Sequence, residues 1–324
     1  MPTPTQQLST LRPDLATFEE FDLEMDRRGF VAQLVAPVID VGLQSSSFGK
    51  IPLEQLLANR ETRRASGSGY ARGNWEFEPM SYATEEHGAE EPVDARESKI
   101  YANYFDAEQV AAARAFDVVL RNGERRMSDK IFNPTTWTGA DLTTAVTNEW
   151  DDYENAEPDL DIEAAVQKVW ANSGVWPNAL VLNRKGFRNL RMCKKLWDRF
   201  KAQGFADVRP GNITAQQLAV VFDLKYVIVA GSAKNTAAEG QSASIASIWS
   251  DEYAMVCKVA ETNDIKEPCI ARTFHWSEDG SQIGGTIETY YEEPIRSDVV
   301  RVRHDVAELV MYPEMGHLLS NITT

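Results

Sequence analysis

No stretch of the sequence approaches the roughly 20 uninterrupted apolar residues that a membrane-spanning helix needs, so an integral helical membrane protein is excluded. The first residues, MPTPTQQLSTLRPDLATFEEFD, lack a basic start, an apolar stretch and a small-residue cleavage site. No signal peptide is expected, and folding is expected in the cytosol. Cysteine is scarce. Cys193, Cys257 and Cys269 are odd in number, widely spaced and set among apolar neighbours, which suits reduced packing residues and not a disulfide frame. Positive charge is also short: 33 Lys and Arg stand against 49 Asp and Glu, a formal net charge of −16. The surface as a whole repels phosphate, which excludes uniform attachment to DNA as the main activity and makes any basic patch local.

What is present is the composition of an ordinary globular protein. Of 324 residues, 43% are hydrophobic and 25% charged, enough for one large core or two ordinary ones. To about Ser47, Pro2, Pro4, Pro13 and Pro37 interrupt short apolar runs such as Phe30-Val31-Ala32-Gln33-Leu34-Val35, which predicts an extended segment that packs on another surface. From Phe48 to Glu97, polar and glycine-punctuated sequence surrounds one alternating piece, Asn74-Trp75-Glu76-Phe77-Glu78, closed by Pro79. Alternation puts Trp75 and Phe77 on one face of a strand, and the segment reads as a long two-stranded arm with no core of its own.

Asp106 and Gln109 form a capping box, and Phe116, Leu120, Met127 and Ile131 recur at helical spacing until Asn133-Pro134, predicting a long two-faced helix. Between Asp159 and Asp264, helices at 161–172, 184–201 and 214–222 alternate with short buried strands at 179–182, 226–229 and 254–257, an α/β layer arrangement. The Ala-, Ser- and Gly-rich stretch 231–247 reads as a mobile loop. Residues 269–276, 285–291 and 297–304 predict a three-stranded antiparallel sheet that only the long helix can cover. The chain therefore leaves one domain, builds another and returns, an α+β organisation.

The chemistry-bearing motifs fail at defined positions. Gly67-Ser68-Gly69 meets Arg72 where a dinucleotide fingerprint needs glycine; Phe48-Gly49-Lys50 is followed by Ile51 and preceded by Gln44, so it cannot cradle phosphate; Gly240-Gln241-Ser242-Ala243-Ser244 lacks the last glycine of a nucleophile elbow. His87, within Glu85 to Glu91, matches no two-histidine zinc spacing and reads as part of a solvated acidic turn. His275, His304 and His317 read as sheet or surface partners with no cysteine or serine constellation nearby. No catalytic, cofactor-binding or metal-binding residue is assigned. Two basic patches stand out, Arg60, Arg63, Arg64 and Arg72 in the arm, and Arg184, Lys185, Arg188, Arg191, Lys194, Lys195, Arg199 and Lys201 around the single acid Asp198. They read either as solvated faces or as surfaces that meet the acidic stretches 85–91 and 151–161 of another copy.

Taken in order, these segments resemble a tailed-bacteriophage major capsid protein of the Hong Kong 97-like fold. The resemblance is carried by Tyr82-Ala83-Thr84-Glu85-Glu86-His87-Gly88-Ala89-Glu90-Glu91-Pro92-Val93-Asp94, by Pro177-Asn178-Ala179-Leu180-Val181-Leu182-Asn183, and by Ser297-Asp298-Val299-Val300-Arg301-Val302-Arg303-His304. It implies an N-terminal arm (1–47), a β-hairpin E-loop (48–98), a peripheral domain with a spine helix (99–158), an α/β axial domain (159–264) and a return to the peripheral sheet (265–324). It implies a non-enzymatic subunit that self-assembles into pentamers and hexamers of an icosahedral head, in the virion, after assembly in the host cytoplasm. Implied partners are copies of itself, separate scaffolding and portal proteins, decoration proteins and weakly contacted double-stranded DNA, with no membrane and no cofactor. The family's Lys–Asn crosslink is not carried over, because Lys50 in the arm has no identifiable Asn partner or acidic catalyst. Arg63, Arg64, Trp75, Glu76, Phe77 and Glu78 are the residues expected at contacts between copies. The rival readings are an encapsulin-like compartment shell and a metal-dependent enzyme built on His87.

Overall fold

In the computed structural model, residues 10–11, 29–50, 52, 55, 57–59, 62–73, 76–101, 107–202 and 210–324 are described. In chain order the helices and strands are β1 (Thr10–Leu11), α1 (Ala32–Val35), β2 (Val38–Val41), β3 (Ser45–Lys50), β4 (Glu78–Ala83), β5 (Glu85–Asp94), α2 (Ala95–Tyr101), α3 (Ala107–Ile131), β6 (Thr143–Ala145), α4 (Pro158–Ser173), β7 (Ala179–Asn183), α5 (Arg184–Met192), α6 (Lys194–Ala202), α7 (Ala215–Val221), β8 (Tyr226–Ala230), β9 (Ala233–Asn235), β10 (Ile245–Ser247), β11 (Tyr253–Cys257), β12 (Ala271–Trp276), β13 (Thr286–Glu292), β14 (Ser297–Val310) and β15 (Gly316–Ser320).

The long strand β14 organises a six-stranded sheet in the order β1-β13-β14-β12-β2, with β5 on its other edge. β13 pairs with its first half and β12 with its second, while β5 runs antiparallel to it from Ser297↔Asp94 to Val306↔Glu85. The predicted three strands are thus part of a larger sheet. β5 occupies residues expected to be an acidic turn, because the arginines of β14 neutralise its glutamates: Arg301 Nε donates to Glu90 Oε1 at 2.5 Å, and Arg303 lies 3.9 Å from Glu86.

A second sheet has the order β6-β15-β11-β7-β8. All five residues of β7 are buried, and alternation sends them to two cores. Leu180 and Leu182 meet Ile162 and Val169 of α4, Leu190 of α5 and Phe200 of α6 in one; Ala179 and Val181 meet Met127, Ile131 and Trp249 in the other. The end of the chain does not return only to the first sheet, since β15 pairs over five residues with β11 and joins the second.

Helix α3 ties the two sheets together. At 1.5 Å per residue its 25 residues span roughly 37 Å. Small side chains of its first half, Ala111, Ala112 and Ala115, let it lie close on Val93, Val300 and Val302, and its last turns lie in the core that includes Met255 and Leu318 of the second sheet. The helix begins and ends where its spacing predicts; the capping residue Asp106 lies outside the described residues.

Three expectations are corrected. The basic helix 184–201 is two helices, because Cys193 takes an extended conformation (φ −60°, ψ 125°) and the Lys194 N–H donates to the Tyr153 carbonyl at 2.9 Å, so the helical ladder is not continued. The stretch 231–247 is not only loop, since it holds the β9–β10 hairpin. The N-terminal segment is not an arm throughout: Val31, Val35 and Ala36 belong to the core under α3, and β2 pairs in parallel with β12. Removing residues before Ser47 is therefore expected to unfold the subunit, not merely to prevent assembly. Circular dichroism melting of a chain starting at Ser47 checks this; a native melting curve would contradict it.

Candidate intersubunit surface

The arm is a hairpin anchored at its base. β3 and β4 pair antiparallel from Ser45↔Ala83 to Lys50↔Glu78. Tyr82 of β4 stacks flat on Phe274 of β12, with ring centroids 4.6 Å apart and planes 4° from parallel, and Phe48 of β3 lies 6.0 Å from the same ring. Lys50 Nζ sits 4.1 Å over the Tyr312 ring, a contact within one chain. The strand expected at 74–78 is shifted: pairing begins at Glu78 and runs through Pro79, which a two-stranded hairpin tolerates because one edge needs no N–H donor.

Beyond this base, residues 62–73 and 76–79 are all exposed. Tyr70 and Phe77 expose 73% and 62% of their surface, large values for aromatic side chains on a limb without a core. Arg64 is held by its own loop, its Nε donating to the Ser68 carbonyl at 2.6 Å and its guanidinium lying 4.9 Å over Tyr70. Arg63 lies beside it, exposed. Glu76 is positioned by its backbone N–H, which donates to Gln55 Oε1 at 2.9 Å, while Phe77 covers Gly49 and Glu78 opens β4 opposite Lys50. Trp75 lies outside the described residues. Burying a side chain such as Tyr70 or Phe77 against a neighbour contributes about 1.5–3 kcal/mol each.

The unlike patches pair within one chain. Lys194 bonds Glu154 at 2.8 Å, Lys195 bonds Glu157, Arg199 lies 3.6 Å from Asp159, and Lys185 bonds Asp251 at 2.7 Å. Three of the six acids of the stretch 151–161, Glu154, Glu157 and Asp159, are thus paired in place by α6.

The histidines serve the sheets. The Nδ1–H of His317 donates to the Asp141 carbonyl at 2.9 Å, and its Nε2 shares a hydrogen bond with Thr144 Oγ1 at 3.0 Å. His275 lies between Asp40 (2.8 Å) and Ser281 (3.3 Å), an order that resembles a nucleophile, base and acid. The serine is buried and its hydroxyl donates to the Trp276 carbonyl, so the group clasps β2, β12 and the following turn together. Sequence spacing gave no signal of it, because Asp40 lies 235 residues from His275. Among the described residues no three His, Cys, Asp or Glu are placed to hold a metal ion. All three cysteines are buried free thiols, and burial pushes the Cys193 thiol up to about 12.

His87 is a half-buried residue of β5, directly opposite His304 of β14, their rings edge to face at 6.2 Å. Burial, and then the Arg126 guanidinium, hold the His304 imidazole down at about 4 against its ordinary 6.5. Because this group is neutral in the fold and titrates higher when unfolded, its contribution is fully present above pH 6.5 and is lost as pH falls towards 4. The difference is about 3 kcal/mol. Urea unfolding at pH 7 and pH 4.5 should show this slope in the native chain and a flatter one in His304→Leu; equal slopes would contradict the assignment.

This architecture, a long helix tying a β14-centred sheet to an α/β unit with an anchored arm, is the Hong Kong 97-like fold of shell-forming capsid proteins. The chain is similar to the major capsid protein of Pseudomonas phage JBD67, 24% identical over 292 residues that cover 90% of this chain and 91% of that one. It is 21% identical to the major capsid protein of Burkholderia phage BcepMu over 200 residues, 62% of this chain and 63% of that one. Among solved structures it matches a phage-related protein from Bordetella bronchiseptica RB50 with a TM-score of 0.70 at 18% identity, over 98% of both chains. It matches the capsid of cyanophage P-SCSP1u with a TM-score of 0.60 at 8% identity (99% and 92% covered), and the SrpI encapsulin of Synechococcus elongatus PCC 7942 with 0.54 at 11% (99% and 92%). No family model matches the chain.

Proposed function

We propose that this chain is the major capsid subunit of a tailed-phage head, a structural and non-enzymatic protein that assembles with copies of itself into pentamers and hexamers around double-stranded DNA. The observation that carries the reading is an arm fixed at its base by Tyr82, Phe48 and Phe274 but exposed from residue 62 to residue 73, on a chain similar over 90% of its length to a phage major capsid protein. Such a limb gains apolar contact only by lying on another molecule, and copies that do so head to tail close into rings. In this reading β3, β4 and the loop between them form the E-loop, α3 is the spine, and Arg63, Arg64, Trp75, Glu76, Phe77 and Glu78 meet the neighbouring copy. The assembly pathway in this reading uses separate scaffolding and portal proteins, in the host cytoplasm.

The net charge of −16 supports a container wall that grips duplex DNA weakly, so that the genome slides during packaging. The likeness to an encapsulin favours a second reading, a compartment shell around a cargo enzyme. Particles purified from the producing cells separate the two. Nuclease-protected duplex DNA is expected; particles that instead carry a stoichiometric second protein and no DNA would favour the compartment.

A further inference from the structure

Helix α4 ends at Gly174, whose φ of +71° turns the chain out of the helix. On either side of this turn Trp170 and Trp176 stack, with ring centroids 5.4 Å apart and planes 22° from parallel. They are 48% and 59% exposed, in a chain that buries Trp137, Trp150 and Trp249 completely. A stacked indole pair left facing solvent is an apolar surface without its cover.

The arm already touches this place. A methyl group added at Gly174 would lie 2.5 Å from Leu57 Cδ1, so Leu57 rests on the end of α4, yet it leaves 64% of its own surface exposed. The last turn of α4 has no basic residue, and indole faces attract cations. The arm is where the exposed arginines Arg63, Arg64 and Arg72 lie. The affinity of indole faces for the arm's exposed arginines and continuity with the Leu57 contact therefore point to one occupant. We infer that the Trp170–Trp176 face is the seat for the arm of a second copy of this chain, which takes in trans the place that Leu57 takes in cis. This rests on the capsid reading and adds to it the surface on which the arm lands. A limb-to-body contact encoded in one sequence forms equally well between identical chains, and the exposed tip gains most when it does.

Because the native cysteines are buried, a short bismaleimide reacts with introduced cysteines alone. Chains carrying Leu57→Cys and chains carrying Val175→Cys are mixed, assembled and treated. A covalent dimer of one chain of each kind is expected in shells and not in dilute unassembled subunits. Shells that form without such dimers, while the Leu57→Cys, Val175→Cys double variant links within one chain, would overturn the inference and leave the capsid reading intact. Trp170→Ala with Trp176→Ala is expected to melt as the native subunit does and to need at least tenfold more protein to assemble; assembly at the native concentration would also overturn it. Failure of the unmodified chain to form shells counts against the capsid reading itself, and with it this seat.

Discussion

Replacing arm residues 62–73 by a short glycine–serine link is expected to leave a subunit that folds and melts as the full chain does and forms no shells. Every residue in that span is exposed, so its removal takes nothing from either core. The base stays fixed by Tyr82 and Phe48 on Phe274, so the rest of the hairpin keeps its place. Losing a contact worth about 3 kcal/mol lowers each association constant about a hundredfold, and the loss recurs at every subunit boundary. Differential scanning calorimetry and electron microscopy read the two halves of this outcome. A deletion that unfolds the subunit would place the tip in a core; one that assembles normally would remove the arm from the interface.

Trp249→Ala should cost about 3–5 kcal/mol, a large part of the roughly 5–15 kcal/mol by which an ordinary domain is stable. The indole is buried where the last turns of α3 meet the second sheet, edge-on to Phe132 at 5.0 Å. Its Nε1–H donates to Glu124 Oε2 at 2.6 Å, and Glu124 Oε1 takes the Ala32 N–H at 2.5 Å. Burial already raises the pKa of this carboxyl, so removing the indole leaves both a cavity and a buried acid with one donor fewer. Trp249→Phe fills much of the cavity and should cost less, the remainder being the hydrogen bond. Urea midpoints of the two variants measure both parts, and a loss below about 1 kcal/mol in Trp249→Ala would show that the junction carries little of the stability.

The parts of the fold legible in the sequence are those set by local pattern. α3 follows the spacing of Phe116, Leu120, Met127 and Ile131, and β7, β8 and β11 follow short apolar runs that end at turn residues. The Thr214 cap with Gln217 is a local capping box and marks α7 as written. The parts that were not legible depend on partners far along the chain. β5 reads as an acidic turn because Arg301 and Arg303, which make its glutamates tolerable in a sheet, lie more than two hundred residues away. Val35 and Ala36 look like arm residues until the core around Ile131 and Trp249 closes over them. The basic run of α5 and α6 looks free until Glu154, Glu157 and Asp159 are seen beside it. At the arm, composition identified an exposed limb and Phe77 on it but not Tyr70, and the anchoring stack of Tyr82 on Phe274 joins segments with no shared pattern. The tryptophan pair at the end of α4 gave no signal, since helical spacing alone places such residues in a core as readily as on a surface.

Electron microscopy of the chain, both as particles from the cells that produce it with its assembly partners and as purified protein at native ionic strength, tests the central claim most directly. Closed shells built from rings of five and six subunits are the predicted result. A population of isolated subunits, unchanged by concentration and by the setting in which the chain is produced, with each arm lying on its own body, would contradict it.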